Sequence, residues 1–189
     1  MNGARAMSLI ENTEERYGVI AILFHWSMAL LVIGLVILGL YMVTLPDVGF
    51  NTKKIYLIFY HKAFGILVLM LLAPRLAWRL TQRLPQLAAH LPDWQKIAAQ
   101  FVHLSFYALM FTLPMTGWLM SSTAGIPVSF FGLYTLPDLI RYDGYLLQRF
   151  IDIHKWLGYM LFIFILIHMS AALWHHFVFK DDTLRRMLP

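Results

Sequence analysis

The sequence predicts an all-α fold, an integral membrane four-helix bundle. Hydrophobic residues make up 60% of the 189 residues and charged residues only 13%, and four long apolar runs alternate with short polar segments. Soluble domains average roughly 45–50% apolar and about 25% charged residues. A soluble chain of this size would keep roughly 30% of its surface exposed to water. So much apolar surface must therefore face lipid.

Each apolar run is long enough to cross a bilayer, which takes about 20 residues. The runs cover residues 19–45, 55–78, 99–122 and 150–179. Pro74 and Pro114 lie inside the second and third runs, where neighbouring helices can satisfy the freed backbone groups. We expect the whole chain, 1–189, to form a single membrane domain. The first run is too long for a cleaved signal peptide.

The distribution of Lys and Arg orients the spans. The side that holds both termini carries nine of these residues and the opposite side six. The nine are Arg5, Arg16, Arg75, Arg79, Arg83, Lys96, Lys180, Arg185 and Arg186. This excess predicts that both termini are cytoplasmic. Anionic membrane lipid explains the net charge of +5, so no nucleic-acid partner is needed.

The chain has eight histidines and no cysteine, and several of the histidines lie within the apolar runs. Ionisable residues in membrane helices are costly and usually functional. His154 and His168 are fourteen residues apart in the fourth span. That spacing is roughly 21 Å along a helix axis. The rotation between the two residues differs from a whole number of turns by only about 40°, so both side chains point to nearly the same side of the helix. Matching by depth pairs His61 with His154 near the outer face and His25 with His168 near the inner face.

Two imidazoles at each centre suit haem iron, because the porphyrin supplies the other four ligands. Structural zinc would need four protein ligands at one centre. The absence of cysteine excludes iron–sulfur clusters and thioether-attached haem. We therefore predict two non-covalent haem b groups with bis-histidine iron. Gly65 and Gly158 follow His61 and His154 by four residues, on the same helix face, and would let a porphyrin plane approach.

Cationic side chains lie where haem propionates would need them. Lys62 and Lys155 are at the outer edge of the spans, and Arg75 and Arg79 are at the inner edge. His103 is placed about one turn into the third span. Two interpretations of His103 stay open, namely contact with a propionate or quinone and simple helix packing.

The remaining histidines are less informative. His90 lies in a loop flanked by prolines and is expected to be solvated. His175 and His176 lie at the end of the fourth span, either at the membrane interface or near a quinone or propionate. No short motif locates a quinone site, and the inner region around Arg75, Arg79, Trp174 and His175 is its expected place.

Together these residues resemble the prokaryotic cytochrome b561 family, over about residues 15–187. The matching elements are Arg16-Tyr17-Gly18-Val19 leading to Phe24-His25-Trp26, His61-Lys62-x-x-Gly65, His103, His154 with His168, and the tail His175-His176-Phe177 followed by Lys180-Asp181-Asp182-Thr183-Leu184-Arg185-Arg186-Met187. The resemblance implies a four-helix di-haem b electron carrier of the bacterial inner membrane. One branch of the family oxidises superoxide on the periplasmic side and reduces ubiquinone. Other branches link a dehydrogenase or hydrogenase to quinone.

Three functions follow as hypotheses. The first is a cytochrome that moves electrons between the quinone pool and a periplasmic one-electron partner, with superoxide as a candidate donor. Bis-histidine iron has no open position, so such a donor would react at the haem edge, drawn by Lys53, Lys54, Lys62 and Lys155. The second is a subunit that relays electrons between quinol and a separate periplasmic redox protein. The third is a membrane scaffold without redox chemistry. Whether the chain is an enzyme of the superoxide:quinone type is left open.

Overall fold

The computed structural model describes residues 10–46, 52–85 and 92–188. Four helices in this part of the chain are long and apolar enough to cross a membrane. They are α1 (Val19–Thr44), α2 (Thr52–Thr81), α3 (Asp93–Thr123) and α4 (Gly144–Trp174). The π-helical turn His175–Phe179 continues α4, and a 3-10 turn, Arg185–Met187, follows. The predicted all-α membrane four-helix bundle is confirmed.

Helices α2, α3 and α4 extend beyond the apolar runs because polar residues form their ends, whereas α1 matches its run within one residue. Pro92 precedes α3, and Asp93 lies in its first turn, where a negative charge favours the helix dipole. Asp143 caps α4, its side chain accepting hydrogen bonds from the backbone N–H groups of Tyr145 and Leu146. Both helices therefore begin six residues before the predicted spans. Hydropathy does not detect such ends, since capping depends on polar side chains.

A short β-hairpin occupies the segment between α3 and α4. Strands β1 (Val128–Phe130) and β2 (Tyr134–Leu136) pair antiparallel. The turn between them holds Phe131 at φ 52° and Gly132 at φ 77°. The Phe131 ring packs edge-on against Phe64 of α2, with 5.0 Å between ring centroids. The sequence predicts a loop for this segment, because strands of three residues are too short to show periodicity.

The helices pack as consecutive neighbours around an apolar core. Within the described residues, the packed pairs are α1 with α2, α2 with α3 and α3 with α4, whereas α1 and α4 hardly approach each other. Each helix contributes one buried residue to a central layer: Val32, Val68, Met110 and Leu161. Each of the four lies seven residues after a histidine of its own helix. The apolar layer therefore lies midway between two polar levels of the bundle.

The segment before α1 folds back on the end of α2 that lies on the side of both chain termini. This side of the bundle is called inner, and the opposite side outer. The Asn12 side chain accepts a hydrogen bond from the Gly18 N–H (2.9 Å), and the Asn12 N–H donates to the Gln82 side chain (3.1 Å). A Cβ atom at Gly18 would overlap the backbone carbonyl of Ile10. Backbone atoms cannot move aside as a flexible side chain can. Only glycine therefore fits at position 18.

We expect Gly18→Ala to destabilise the protein by about 1–3 kcal/mol, because the added methyl group forces the backbone apart. Thermal unfolding in detergent measures the loss. The matched control is Gly34→Ala in α1, where a Cβ meets nothing within 4 Å. That change should be neutral or stabilising, since alanine favours a helix over glycine by roughly 0.5–1 kcal/mol. Equal unfolding temperatures for the two variants would contradict the packing described for Gly18.

Candidate metal centres

Near the outer ends of the helices, His61 of α2 and His154 of α4 face each other. Their ring centroids are 6.2 Å apart, with the ring planes at 75°. Both side chains are half-buried. Each imidazole therefore has a histidine partner on a different helix, at the depth where the sequence analysis paired them.

Glycines on the other two helices make room for this pair. A Cβ atom at Gly39 of α1 would lie 3.4 Å from Cε1 of His61, and one at Gly117 of α3 would lie 3.3 Å from Cε1 of His154. A Cβ at Gly65 or Gly158, the glycines expected to matter, would meet nothing within 4 Å. The space around the imidazoles is therefore set by glycines of neighbouring helices, which the sequence analysis missed.

A repeat of fourteen residues could have revealed Gly39 and Gly117. Each follows a histidine of its own helix by fourteen residues, as His168 follows His154 and Arg75 follows His61. The repeat assigns one residue of each helix to each level. The outer level holds Gly39, His61, Gly117 and His154, and the inner level holds His25, Arg75, His103 and His168. Fourteen residues are close to four helical turns, so the repeat keeps both levels on the same side of every helix.

A threonine fixes the tautomer of His154. Thr116 Oγ1 lies 3.1 Å from His154 Nδ1, and its own hydroxyl donates to the Leu113 carbonyl at 2.9 Å. Because the hydroxyl proton is already used, Oγ1 acts as the acceptor and His154 Nδ1 carries the proton. Nε2 of His154 is then left with its lone pair, the state in which a histidine binds a metal. His61 Nδ1, in contrast, is a buried atom without a hydrogen-bond partner.

The inner level brings three histidines together. The ring centroids of His25 and His168 are 6.1 Å apart, and those of His103 and His168 are 5.6 Å apart. Phe106 packs edge-on against His168 at 5.4 Å. His103 was expected about one turn into its span. It is instead nearly three turns into α3, because that helix begins at Asp93.

Two arginines complete the inner level. Arg75 donates from Nη1 to the Phe24 carbonyl at 3.1 Å, which fixes α2 beside the helix turn that carries His25. The guanidinium groups of Arg75 and Arg79 each lie over the Tyr107 ring, 5.7 Å from its centroid. Arg75 is half-buried. Two cations held this close together favour a carboxylate or another anion between or beside them.

A cavity that is partly open to solvent adjoins the inner level. Its lining comprises Asn12, Tyr17, Ala21, Phe24, His25, Arg75, Trp78, Arg79, Leu84, Tyr107 and Met187. Burial raises the pKa of Tyr17, which lies just before α1, so its phenol stays protonated at neutral pH. The indole nitrogen of Trp78 is buried without a hydrogen-bond partner. Trp174 and His175, which the sequence analysis placed in the expected quinone region, do not line this cavity.

Lysines surround the outer level, and some of them are engaged. Lys155 forms an ion pair with Asp152 (3.5 Å) and lies over the Trp156 ring. Lys53 donates to the Tyr41 hydroxyl at 2.6 Å. Lys62 is half-buried beside His61. The outer level is therefore cationic at its rim, although acidic and phenolic groups moderate part of that charge.

The histidines that end α4 have a separate environment. His175 Nδ1 donates to Asp181 Oδ2 at 2.6 Å, and both side chains are largely buried. Burial raises the pKa of Asp181, but hydrogen bonds from His175 and Thr183 outweigh it and lower the pKa to about 2. Asp181 is therefore ionised at neutral pH. His176 has a buried Nδ1 atom without a partner. His90 and Arg5 lie outside the described residues.

The donor sets limit which metal chemistry is possible. Within the described residues, no group of three or more His, Cys, Asp or Glu side chains could hold a metal ion. A bare zinc or iron ion would therefore lack a complete set of protein ligands at either level. Paired imidazoles on facing helices are sufficient for a metal that brings its own equatorial ligands, as a haem does.

Comparison with known proteins gives a consistent result. The family model described as prokaryotic cytochrome b561 matches residues 16–189. The chain is 39% identical to cytochrome b561 homolog 2 of Escherichia coli (strain K12) over 178 residues, which cover 94% of this chain and 93% of the relative. It is 30% identical to cytochrome b561 homolog 1 of that strain over 129 residues, 68% and 73% of the two chains. It is 28% identical to the probable superoxide oxidase CybB of Yersinia pestis over 175 residues, 93% and 97%.

We expect Gly117→Val to push the His154 ring out of line with His61, because even a Cβ at this position lies 3.3 Å from the imidazole. The variant should bind less haem than the parent protein, measured as Soret absorbance per chain after purification. The control is Ala108→Val on an exposed face of the same helix. The role assigned to Gly117 would be wrong if both variants retained the parent haem content.

Proposed function

The chain belongs to the prokaryotic cytochrome b561 family, and on that premise we propose that it carries two haem b groups, each bound by one of the two histidine pairs. Members of this family are membrane electron-transfer proteins that bind haem b. The separation of the paired rings carries the proposal. An iron bound by two imidazole nitrogens at about 2 Å each would place the ring centroids about 6 Å apart. The observed separations are 6.2 and 6.1 Å.

The surroundings of each pair support this assignment. At the outer level, Thr116 holds the proton of His154 on Nδ1 and so presents Nε2 to the metal. The open space beside Gly65 and Gly158 is available to a porphyrin plane. Lys62 and Lys155 are the proposed propionate partners at this level.

Arg75, Arg79 and His103 are the proposed propionate partners at the inner level. The two guanidinium groups are already held in place by Phe24 and Tyr107. His103 lies on α3, whereas His25 and His168 lie on the helices α1 and α4 that hardly pack together. A flat cofactor can enter between two helices that are apart. We therefore assign His25, and not His103, as the inner partner of His168.

The proposed activity is one-electron transfer between a periplasmic donor and the quinone pool. Haem supplies a centre that accepts and releases single electrons. With bis-histidine ligation the metal has no open position, so the donor reacts without binding iron. Superoxide is the proposed donor, since one relative is named a probable superoxide oxidase and lysines attract anions to the outer level. Two superoxide anions would release two electrons and leave two dioxygen molecules, and one quinone would take up the two electrons with two protons.

The proposed place for the quinone is the inner cavity. Its wall includes His25, so a bound quinone would lie beside a proposed ligand of the inner haem. The protonated phenol of Tyr17 and the unpartnered indole N–H of Trp78 are donors suited to quinone carbonyl oxygens. The Lys and Arg distribution supports a cytoplasmic position for this end and for both termini.

One observation favours the alternative, a subunit that relays electrons to or from a separate periplasmic protein. The hairpin between α3 and α4 exposes Leu133 and Tyr134 at its tip, with 83% and 65% of their surfaces accessible. Exposed apolar side chains of this kind often mark a protein contact. Co-purification of a stoichiometric partner, lost with Leu133→Ser, would favour the relay function over a free-standing oxidase.

Single substitutions test the pairing directly. His61→Ala and His168→Ala should each remove about half of the haem. The redox potential of the remaining haem should differ between the two variants, because His61→Ala retains the inner haem and His168→Ala retains the outer haem. His25→Ala should give the same result as His168→Ala. His103→Ala should keep both haems, and His90→Ala is the control. Retention of the inner haem in His25→Ala together with its loss in His103→Ala would contradict the assigned pairing.

Neutralising the outer lysines tests superoxide as the donor. Replacing Lys53, Lys54, Lys62 and Lys155 by glutamine should slow reduction by superoxide on the order of tenfold at low ionic strength, because charge steering is lost. The difference should shrink at high salt. The inner-side variants Lys96→Gln and Lys180→Gln are the controls, and haem content is measured in parallel. An unchanged rate of reduction by superoxide, in a variant that retains its full haem content, would exclude electrostatic capture of superoxide.

A further inference from the structure

The inner histidine pair lies between two helices that do not pack closely on each other. His25 is on α1 and His168 is on α4, and these two helices hardly approach each other within the described residues. The outer pair differs, because His61 belongs to α2, which packs on α3, and α3 packs closely on α4. Direct packing of α1 on α4 therefore does not set the distance between them at the inner level.

The segment 180–188, which we call the C-terminal strap, joins these two helices. At the α4 end, the π-helical turn stops at Lys180, which has a left-handed backbone (φ 54°), and Asp181 then accepts the hydrogen bond of His175 at 2.6 Å. At the α1 end, the Trp26 indole N–H donates to the Met187 carbonyl at 2.7 Å. Between these anchors, the turn Arg185–Met187 shortens the segment.

Both anchors lie close to the inner ligands. Trp26 directly follows His25, and their rings touch edge-on with centroids 5.4 Å apart. His175 lies seven residues after His168, which is two helical turns and about 10 Å farther along nearly the same face of α4. Movement of either anchor would therefore change the position of an inner imidazole.

We propose that the C-terminal strap holds α1 and α4 at the separation that the inner histidine pair requires, and that His175, Asp181 and Trp26 are positioning residues of the inner centre. The effect of the strap on the inner histidine pair rests on the proposed function, because it assumes an inner haem. The contacts by which the strap joins α1 and α4 do not depend on that haem. The strap should leave the outer level unaffected, since its anchors are on the inner side.

Distances between spin labels test the tie itself, and the cysteine-free sequence is a ready background. One label pair, Leu23→Cys with Leu173→Cys, reports on the inner ends of α1 and α4. A second pair, Val43→Cys with Ile151→Cys, reports on their outer ends. All four positions are exposed. In the haem-containing protein, Asp181→Ala and Trp26→Phe should about double the width of the inner distance distribution, as expected for local opening, and leave the outer one unchanged.

Matched variants separate this role from general destabilisation. Asp181→Asn keeps an oxygen that can accept from His175 and should give an intermediate width. Asp182→Ala removes an exposed carboxylate that pairs with Arg185 at 3.7 Å and should change nothing. Trp94→Phe, at an exposed position of α3, is the control for Trp26→Phe. Inner distributions that stay as narrow as in the parent would overturn the proposal.

The redox potentials give the second readout. Asp181→Ala should shift the redox potential of the inner haem, which is the haem that His168→Ala removes. It should leave unchanged the redox potential of the outer haem, which is the haem that His61→Ala removes. An equal shift of both potentials, or none, would contradict a role specific to the inner level. If the purified protein held no inner haem, the proposed function would fail, while the label distances would still decide whether the strap ties α1 to α4.

Discussion

The paired imidazoles on facing helices are the constraint on which the rest of the structure depends. A polar ring inside hydrocarbon is costly unless it binds another group, and here each ring of a pair comes from a different helix. The four helices must therefore keep a common register, and the fourteen-residue repeat maintains it. The apolar layer of Val32, Val68, Met110 and Leu161 fills the midpoint of that repeat. Core packing and the two polar levels thus follow one helical period.

The two levels are built differently, and this bears on what each can do. Glycines face the histidines at the outer level, so the pair there is closely surrounded by helix backbone. At the inner level, an arginine and a third histidine replace the glycines, and a cavity opens beside His25. The outer level is suited to electron exchange at a charged rim. The inner level has a cavity that is open to solvent and lined by hydrogen-bond donors suited to an organic acceptor.

Much of this architecture could be predicted from the sequence, because hydropathy and helical spacing act within one helix. The four-helix membrane fold was predicted correctly, and the resemblance to the cytochrome b561 family is confirmed. The fourteen-residue repeat could have indicated Gly39 and Gly117, but their contacts with His61 and His154 depend on other helices and could not be predicted. The role of Trp26 could not be predicted either, since it depends on the strap. His103 lies farther from the start of its helix than from the start of the apolar run, because Pro92 and Asp93 begin α3 before that run.

The central claim is that each histidine pair holds one haem with both axial positions filled. A pyridine haemochrome assay combined with electron paramagnetic resonance of the oxidised protein tests it most directly. The account predicts two haem b per chain and two distinct low-spin ferric signals, without a high-spin signal. One haem per chain, or a high-spin signal from iron with an open position, would contradict it.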